Sequence, residues 1–168
     1  MKAAHSLIVF LLFWVAGAHA CAAVTLPAPL DFQRDARQAQ EAGKPVIILF
    51  SLPGCRFCDE VRQNYLAPLL RGVPVAERPI IREIEIGGTQ TFVGLQGERT
   101  SHRSFASKLN IRIAPTVVFI DSSGQHLTAP IVGGDTAGLY GGYLDNAFDE
   151  AAKKLAATGR SHSIGAKP

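Results

Sequence analysis

Residues 45–51 read Pro-Val-Ile-Ile-Leu-Phe-Ser, and residues 52–58 continue Leu-Pro-Gly-Cys-Arg-Phe-Cys. The first half is a short continuous apolar run, the pattern of a strand buried on both faces. The second half brings Cys55 and Cys58 to the place where that strand gives way to a helix. This helix is expected to begin near Cys55 and to run through Asp59, Val61 and Tyr65 towards Leu70, with Pro68 bending or ending it. At a helix N-terminus the unpaired amides and the dipole stabilise an anion, so Cys55 would be held as a thiolate. Two intervening residues let the second sulfur sit beneath the first, within disulfide reach. Cys55 then attacks a substrate disulfide as the exposed nucleophile, and Cys58 resolves the mixed disulfide. Arg56 and Phe57 are the candidates for tuning the motif, Arg56 by putting a cation next to Cys55.

Two other uses of the cysteines compete. Structural zinc needs four ligands, and beyond Cys55 and Cys58 the chain after residue 20 offers Cys21, His102, His126 and His162, scattered and without paired spacing. A purely structural disulfide would close so small a loop that it would constrain the unfolded chain little.

Strand and helix signals alternate on either side of the motif. Asp31–Ala42 places Phe32, Ala36 and Ala39 on one face, with Asp31 as N-cap, Gly43 as a stop and Pro45 unable to extend the helix. Ile80–Ile86 alternates apolar and charged residues, as a half-buried strand does. Gly87–Ser101 is polar and glycine-rich, a loop long enough to suggest a functional or mobile segment. Arg103–Leu109 reads as a short helix and Thr116–Asp121 as another buried strand. Ser122-Ser123-Gly124 is turn chemistry before a last strand near Gln125–Val132. Gly133-Gly134 leads into a helix over about 136–157, and residues 159–168 read as a flexible tail. The order predicts one α/β domain, a central mixed sheet flanked by helices.

With 168 residues, 47% hydrophobic, the chain suffices for one well-buried domain and not for two. Charged residues make up 18% and the net charge is +3, which points to neither disorder nor a nucleic-acid partner. The start of the chain is different. A short basic stretch with Lys2 precedes the apolar run Leu7–Ala18, and Ala18-His19-Ala20 supplies small residues at alternate positions. Residues 1–20 therefore read as a secretory signal peptide, and the domain as residues 21–158. The run would rise about 18 Å as a helix, short of a roughly 30 Å bilayer core, so a retained anchor is the weaker reading. Export places the domain where disulfides persist. Cys21 stands directly after the cleavage site. A lipid anchor there is disfavoured, because Ala18 and His19 occupy the places where a lipobox carries Leu and a small residue.

Three separated motifs, in order, carry a family resemblance. FSLPGCRFC follows a buried strand, Ile113-Ala114-Pro115-Thr116 precedes the next, and Val132-Gly133-Gly134 leads into a helix with Leu139, Tyr143 and Leu144. Over about 30–157 the chain resembles the thioredoxin superfamily. The resemblance implies a cis peptide at Ala114–Pro115 facing the CxxC motif. It also implies that Ala114, Pro115 and Thr116 pair with the substrate backbone as an added strand and help to exclude metals. The chain departs from thioredoxins proper in several places. Gly54 stands where they have Trp, Leu49 where they have a buried Asp that helps to deprotonate the resolving cysteine, and Gln63 where they have a helix-kinking Pro. Asp59 or Glu60 could replace that acid, although charges on a solvated helix face are the blander account. The lengthened connection over 87–101 is similar to that of periplasmic thioredoxin-like proteins associated with sulfur oxidation (SoxW-like).

The expected function is an exported, periplasmic thiol–disulfide oxidoreductase that reduces protein disulfides through its CxxC dithiol. It needs no cofactor and no metal, and acts as a monomer on disulfide-bearing proteins with electrons from a membrane thiol relay. A thioredoxin-fold metallochaperone using soft thiolates for Cu(I) is the alternative. So is a non-enzymatic redox-regulated binding protein that uses the same cysteines; a third reading is a thioredoxin-fold partner protein that binds through residues 87–101, with Phe92 and Phe105 as contact or core residues.

Overall fold

The computed structural model describes residues 25–164. The expected signal segment and Cys21 lie outside them. Helix α1 (Phe32–Glu41) begins where the Asp31 side chain accepts the Arg34 N–H at 2.8 Å, and buries Phe32, Ala36 and Ala39. The chain turns at Gly43 with φ +62° and enters β1 (Val46–Ser51), every residue of which is buried. After α2 (Arg56–Val61) come a π turn over 62–66 and a 3₁₀ turn over 67–70. The expected single helix to Leu70 is thus three pieces, since Pro68 has no N–H to continue the α ladder.

Strand β2 (Ile80–Glu85) pairs with β1 in parallel; β5 (Thr116–Ile120) pairs with β1 antiparallel, and β6 (Ile131–Val132) with β5. The order β2-β1-β5-β6 is a mixed sheet. Alternation divides its side chains into two layers. Ile47, Leu49, Ile81, Val117 and Phe119 face α2 and α4 (Tyr140–Ile164). Val46, Ile48, Phe50, Ile84 and Val118 face α1 and α3 (His102–Lys108). A side chain as large as the fully buried Phe32 or Phe119 contributes about 2–3 kcal/mol by leaving water.

The segment expected as a loop is a β-hairpin. Strands β3 (Thr91–Val93) and β4 (Arg99–Ser101) pair antiparallel, with Gly97 turning at φ +82°. Phe92 points inward and meets Phe32 and Phe105 at ring-centroid distances of 5.4 Å each, and Val93 bridges to Asp31. One aromatic anchor converts a polar stretch into ordered structure.

Two other boundaries shift. Of the strand expected near 125–132, an isolated bridge at His126 and the two residues of β6 pair with β5, because Pro130 cannot donate to a ladder. Helix α4 starts at Tyr140 rather than near Thr136, since Gly138 turns at φ +70°. It extends to Ile164, into the segment expected as tail, with no proline before Pro168 to stop it.

Candidate active site at the end of the parallel strands

Strand β1 delivers the motif. Its last residues feed the turn 52–54, where Gly54 adopts φ +67°, a conformation that L side chains rarely take. The Cys55 N–H bonds back to the Leu52 carbonyl at 3.3 Å, and Cys55 becomes the N-cap of α2. Its Sγ accepts the Cys58 N–H at 3.2 Å, the position in which a cap side chain satisfies an unpaired helix amide. Cys55 and Cys58 form a disulfide with a Cα–Cα distance of 5.2 Å. Cys58 is fully buried and Cys55 half-buried, so solvent reaches the first sulfur's residue and not the second's. Cys55 is therefore the more accessible residue of the pair.

The second part arrives through sheet register. Phe50, near the end of β1, pairs with Thr116, the first residue of β5, so the segment before Thr116 lies at the same end of the sheet as the cysteines. Ala114–Pro115 is cis, and the Thr116 hydroxyl donates to the Ile113 carbonyl at 2.7 Å. The Pro115 carbonyl accepts the Gly133 N–H at 2.8 Å, which ties this segment to the loop after β6.

Arg56 and Phe57 interact with each other. The Arg56 guanidinium carbon lies 5.0 Å from the Phe57 ring centroid, a cation–π contact that sets the charge over the ring. Phe57 in turn packs on Gly134.

A thioredoxin-like domain family matches residues 32–148, a span that includes both cysteines, Pro115 and Gly134. The chain belongs to the thioredoxin-like family. Several solved structures are similar to the chain. A DsbH oxidoreductase is 17% identical with a TM-score of 0.50, over 76% of this chain and 88% of that one. A Helicobacter pylori thioredoxin-fold protein is 17% identical with a TM-score of 0.48, over 69% and 82%. Spinach chloroplast thioredoxin f is 17% identical with a TM-score of 0.48, over 79% and 97%. No curated protein matches in sequence.

In this thioredoxin-like chain Leu49 is fully buried among Val61, Leu66, Val117 and Phe119, an apolar environment with no carboxylate at that position. Neither acid considered as a replacement is buried. Asp59 is exposed and hydrogen-bonded to Arg62, and Glu60 is half-buried at the helix surface. Among the described residues the buried carboxylate is Asp35, which makes a two-point contact with Arg82 from α1, on the other face of the sheet. Sequence reasoning missed a different acid. Glu83 is the register partner of Leu49 on β2, and Arg62 bonds it with both Nε and Nη2. The alternation of Ile80–Ile86 could have indicated this, because it puts Glu83 on the face that α2 covers.

Two further groups flank the site. The Tyr65 hydroxyl donates to Asp135, which also accepts the Leu139 N–H at 3.1 Å. That hydroxyl holds the Asp135 carboxyl below its ordinary range, and the same bond raises Tyr65. The buried Tyr140 ring packs against Tyr65 in a tilted pair with centroids 4.8 Å apart; its hydroxyl, without a hydrogen-bond partner, is pushed up by desolvation. On the hairpin side His102 is buried, and its Nδ1 accepts the Glu85 N–H at 3.2 Å. Burial pushes the imidazole down, opposed by the charges of Glu85 and Glu83. Among the described residues no three His, Cys, Asp or Glu side chains group so as to hold a metal, and no helix is long and apolar enough to cross a membrane.

Proposed function

We propose that this chain is an exported thiol–disulfide oxidoreductase that reduces protein disulfides in the periplasm through Cys55 and Cys58. The observation that carries the reading is the asymmetry of the pair. Cys55 is half-buried and caps a helix, Cys58 is wholly enclosed, and the Ala114–Thr116 segment lies at the same end of the sheet.

In the reduced chain the Cys55 thiolate attacks one sulfur of a substrate disulfide, and the other substrate sulfur leaves as a thiolate and takes a proton. Cys58, deprotonated, then attacks Cys55 Sγ and expels the second substrate thiolate. Two electrons pass to the substrate, and the chain ends with the Cys55–Cys58 disulfide found in this structure. Ala114, Pro115 and Thr116 offer backbone beside the exchange, and a membrane thiol relay returns the electrons. The finer affinity is with the periplasmic proteins of the sulfur-oxidation type, supported by the insertion that forms β3 and β4.

Insulin reduction by the full chain with dithiothreitol, together with its equilibrium potential against glutathione, tests the reading. Catalysed insulin precipitation and a potential below about −200 mV are expected. A potential near −120 mV, the range of a dedicated oxidant, would reverse the direction of the reaction. Fractionation of the producing cells tests export, with the chain expected in the periplasmic fraction.

A further inference from the structure

Gly133 and Gly134 are adjacent and are glycines for different reasons. Gly133 adopts φ +93° and has nothing within 4 Å of where a Cβ would sit, so its backbone conformation accounts for it. Gly134 does not have such a φ. A Cβ there would lie 2.7 Å from Phe57 Cδ1, 2.9 Å from its Cβ and 3.0 Å from its Cγ. The missing side chain at 134 is the space that the Phe57 ring occupies.

That contact has a counterpart one residue earlier. The Gly133 N–H bonds to the Pro115 carbonyl at 2.8 Å, and Val132 pairs with Thr116. The segment 132–134 is thus fixed on one side to the Ala114–Thr116 backbone and on the other to the helix that carries both cysteines. Phe57 is 39% exposed with Arg56 stacked 5.0 Å over it, so it is a rim residue and not part of either hydrophobic layer. It forms one wall of an open groove of about 610 Å³, whose other lining residues are Arg56, Glu60, Asn64, Asp135 and Thr136.

We propose that Phe57, seated in the notch at Gly134, is a positioning residue that sets the distance between Cys55 and the 132–134 backbone, and so selects extended polypeptide disulfides over small ones. The inference rests on the exchange reaction proposed above. A polypeptide lying over Cys55 needs 113–116 and 132–134 both in place, whereas a small disulfide needs access to the sulfur alone. Loss of the ring releases one wall of that channel and leaves both cysteines in place.

The test is a double-mutant cycle of Phe57→Gly, which removes the Cβ as well as the ring, and Gly134→Ala in the full chain, read on insulin and on the small disulfide of hydroxyethanethiol. Each single variant is expected to lose about tenfold in kcat/KM on insulin, mainly through KM, and less than threefold on the small disulfide. The double variant is expected to be no worse than Phe57→Gly, because with the Phe57 Cβ and ring both gone the new methyl enters vacated space. Additive losses, or equal losses on the two substrates, would overturn the positioning role. A wild-type chain inactive on both substrates would instead overturn the exchange reading and this inference with it. The urea midpoints of the four proteins report the contact independently. Gly134→Ala should lower the midpoint in the wild-type background and not beside Phe57→Gly; equal shifts in both would contradict the notch.

Discussion

Arg62 reaches from the turn after α2 to Glu83 on β2 and bonds both carboxylate oxygens, one turn below Cys58 and across the sheet register from Leu49. Both side chains are largely buried, at 14% and 16% exposure, so little water would replace either partner. The carboxylate raises Arg62 far above its ordinary value, chiefly through this hydrogen bond, and the guanidinium is charged at every accessible pH. Arg62→Ala should therefore cost about 2–4 kcal/mol in urea denaturation, because it leaves Glu83 uncompensated. The double variant Arg62→Leu/Glu83→Leu should recover most of the loss. A single-variant cost within about 0.5 kcal/mol would show that the pair behaves as a solvated surface pair.

Leu49 gives a second expectation. It lies fully buried in the layer under α2 and α4, beside the Glu83 position. Leu49→Asp, which installs the acid that the family resemblance associates with this place, should destabilise the fold by about 3–5 kcal/mol through lost packing and a buried carboxyl. Thermal unfolding of the reduced and oxidised chains measures it. A variant as stable as the wild type would mean that this pocket still accommodates a charge.

His102 sets a pH dependence. Burial depresses its folded-state pKa below the unfolded value of about 6.5. Below about pH 6.5 the unfolded chain gains a proton that the folded chain does not, so stability falls with acidification until the lower folded pKa is reached. Protonation of Nδ1 would also remove the acceptor of the Glu85 N–H. His102→Gln should flatten the decline in urea midpoint between pH 7 and pH 5. An unchanged decline would assign it to other groups.

Much of this architecture is legible in the sequence because the signals are local. The apolar run 45–51 is short, rich in β-branched residues and flanked by Gly and Pro, which marks it as a buried strand, and Asp31 and Gly43 bracket α1 by capping and turn chemistry. The position of Cys55 and Cys58 at a strand-to-helix junction can likewise be read without any tertiary information. What escaped depends on partners distant in sequence. The β3–β4 hairpin hinges on Phe92 meeting Phe32 and Phe105, and the Gly134 notch on Phe57, seventy-seven positions earlier. The Arg62–Glu83 pair lies between an irregular turn and a strand whose register no local pattern states. Packing, not propensity, decides such features.

The account stands or falls on the order of the two cysteines. Cys58→Ser and Cys55→Ser chains, produced in the cell and resolved on non-reducing gels, measure it directly. Cys58→Ser is expected to accumulate discrete mixed disulfides through Cys55, and Cys55→Ser none, because Cys58 is enclosed. Equal adducts from both variants, or adducts from Cys55→Ser alone, would contradict the assignment of nucleophile and resolving thiol.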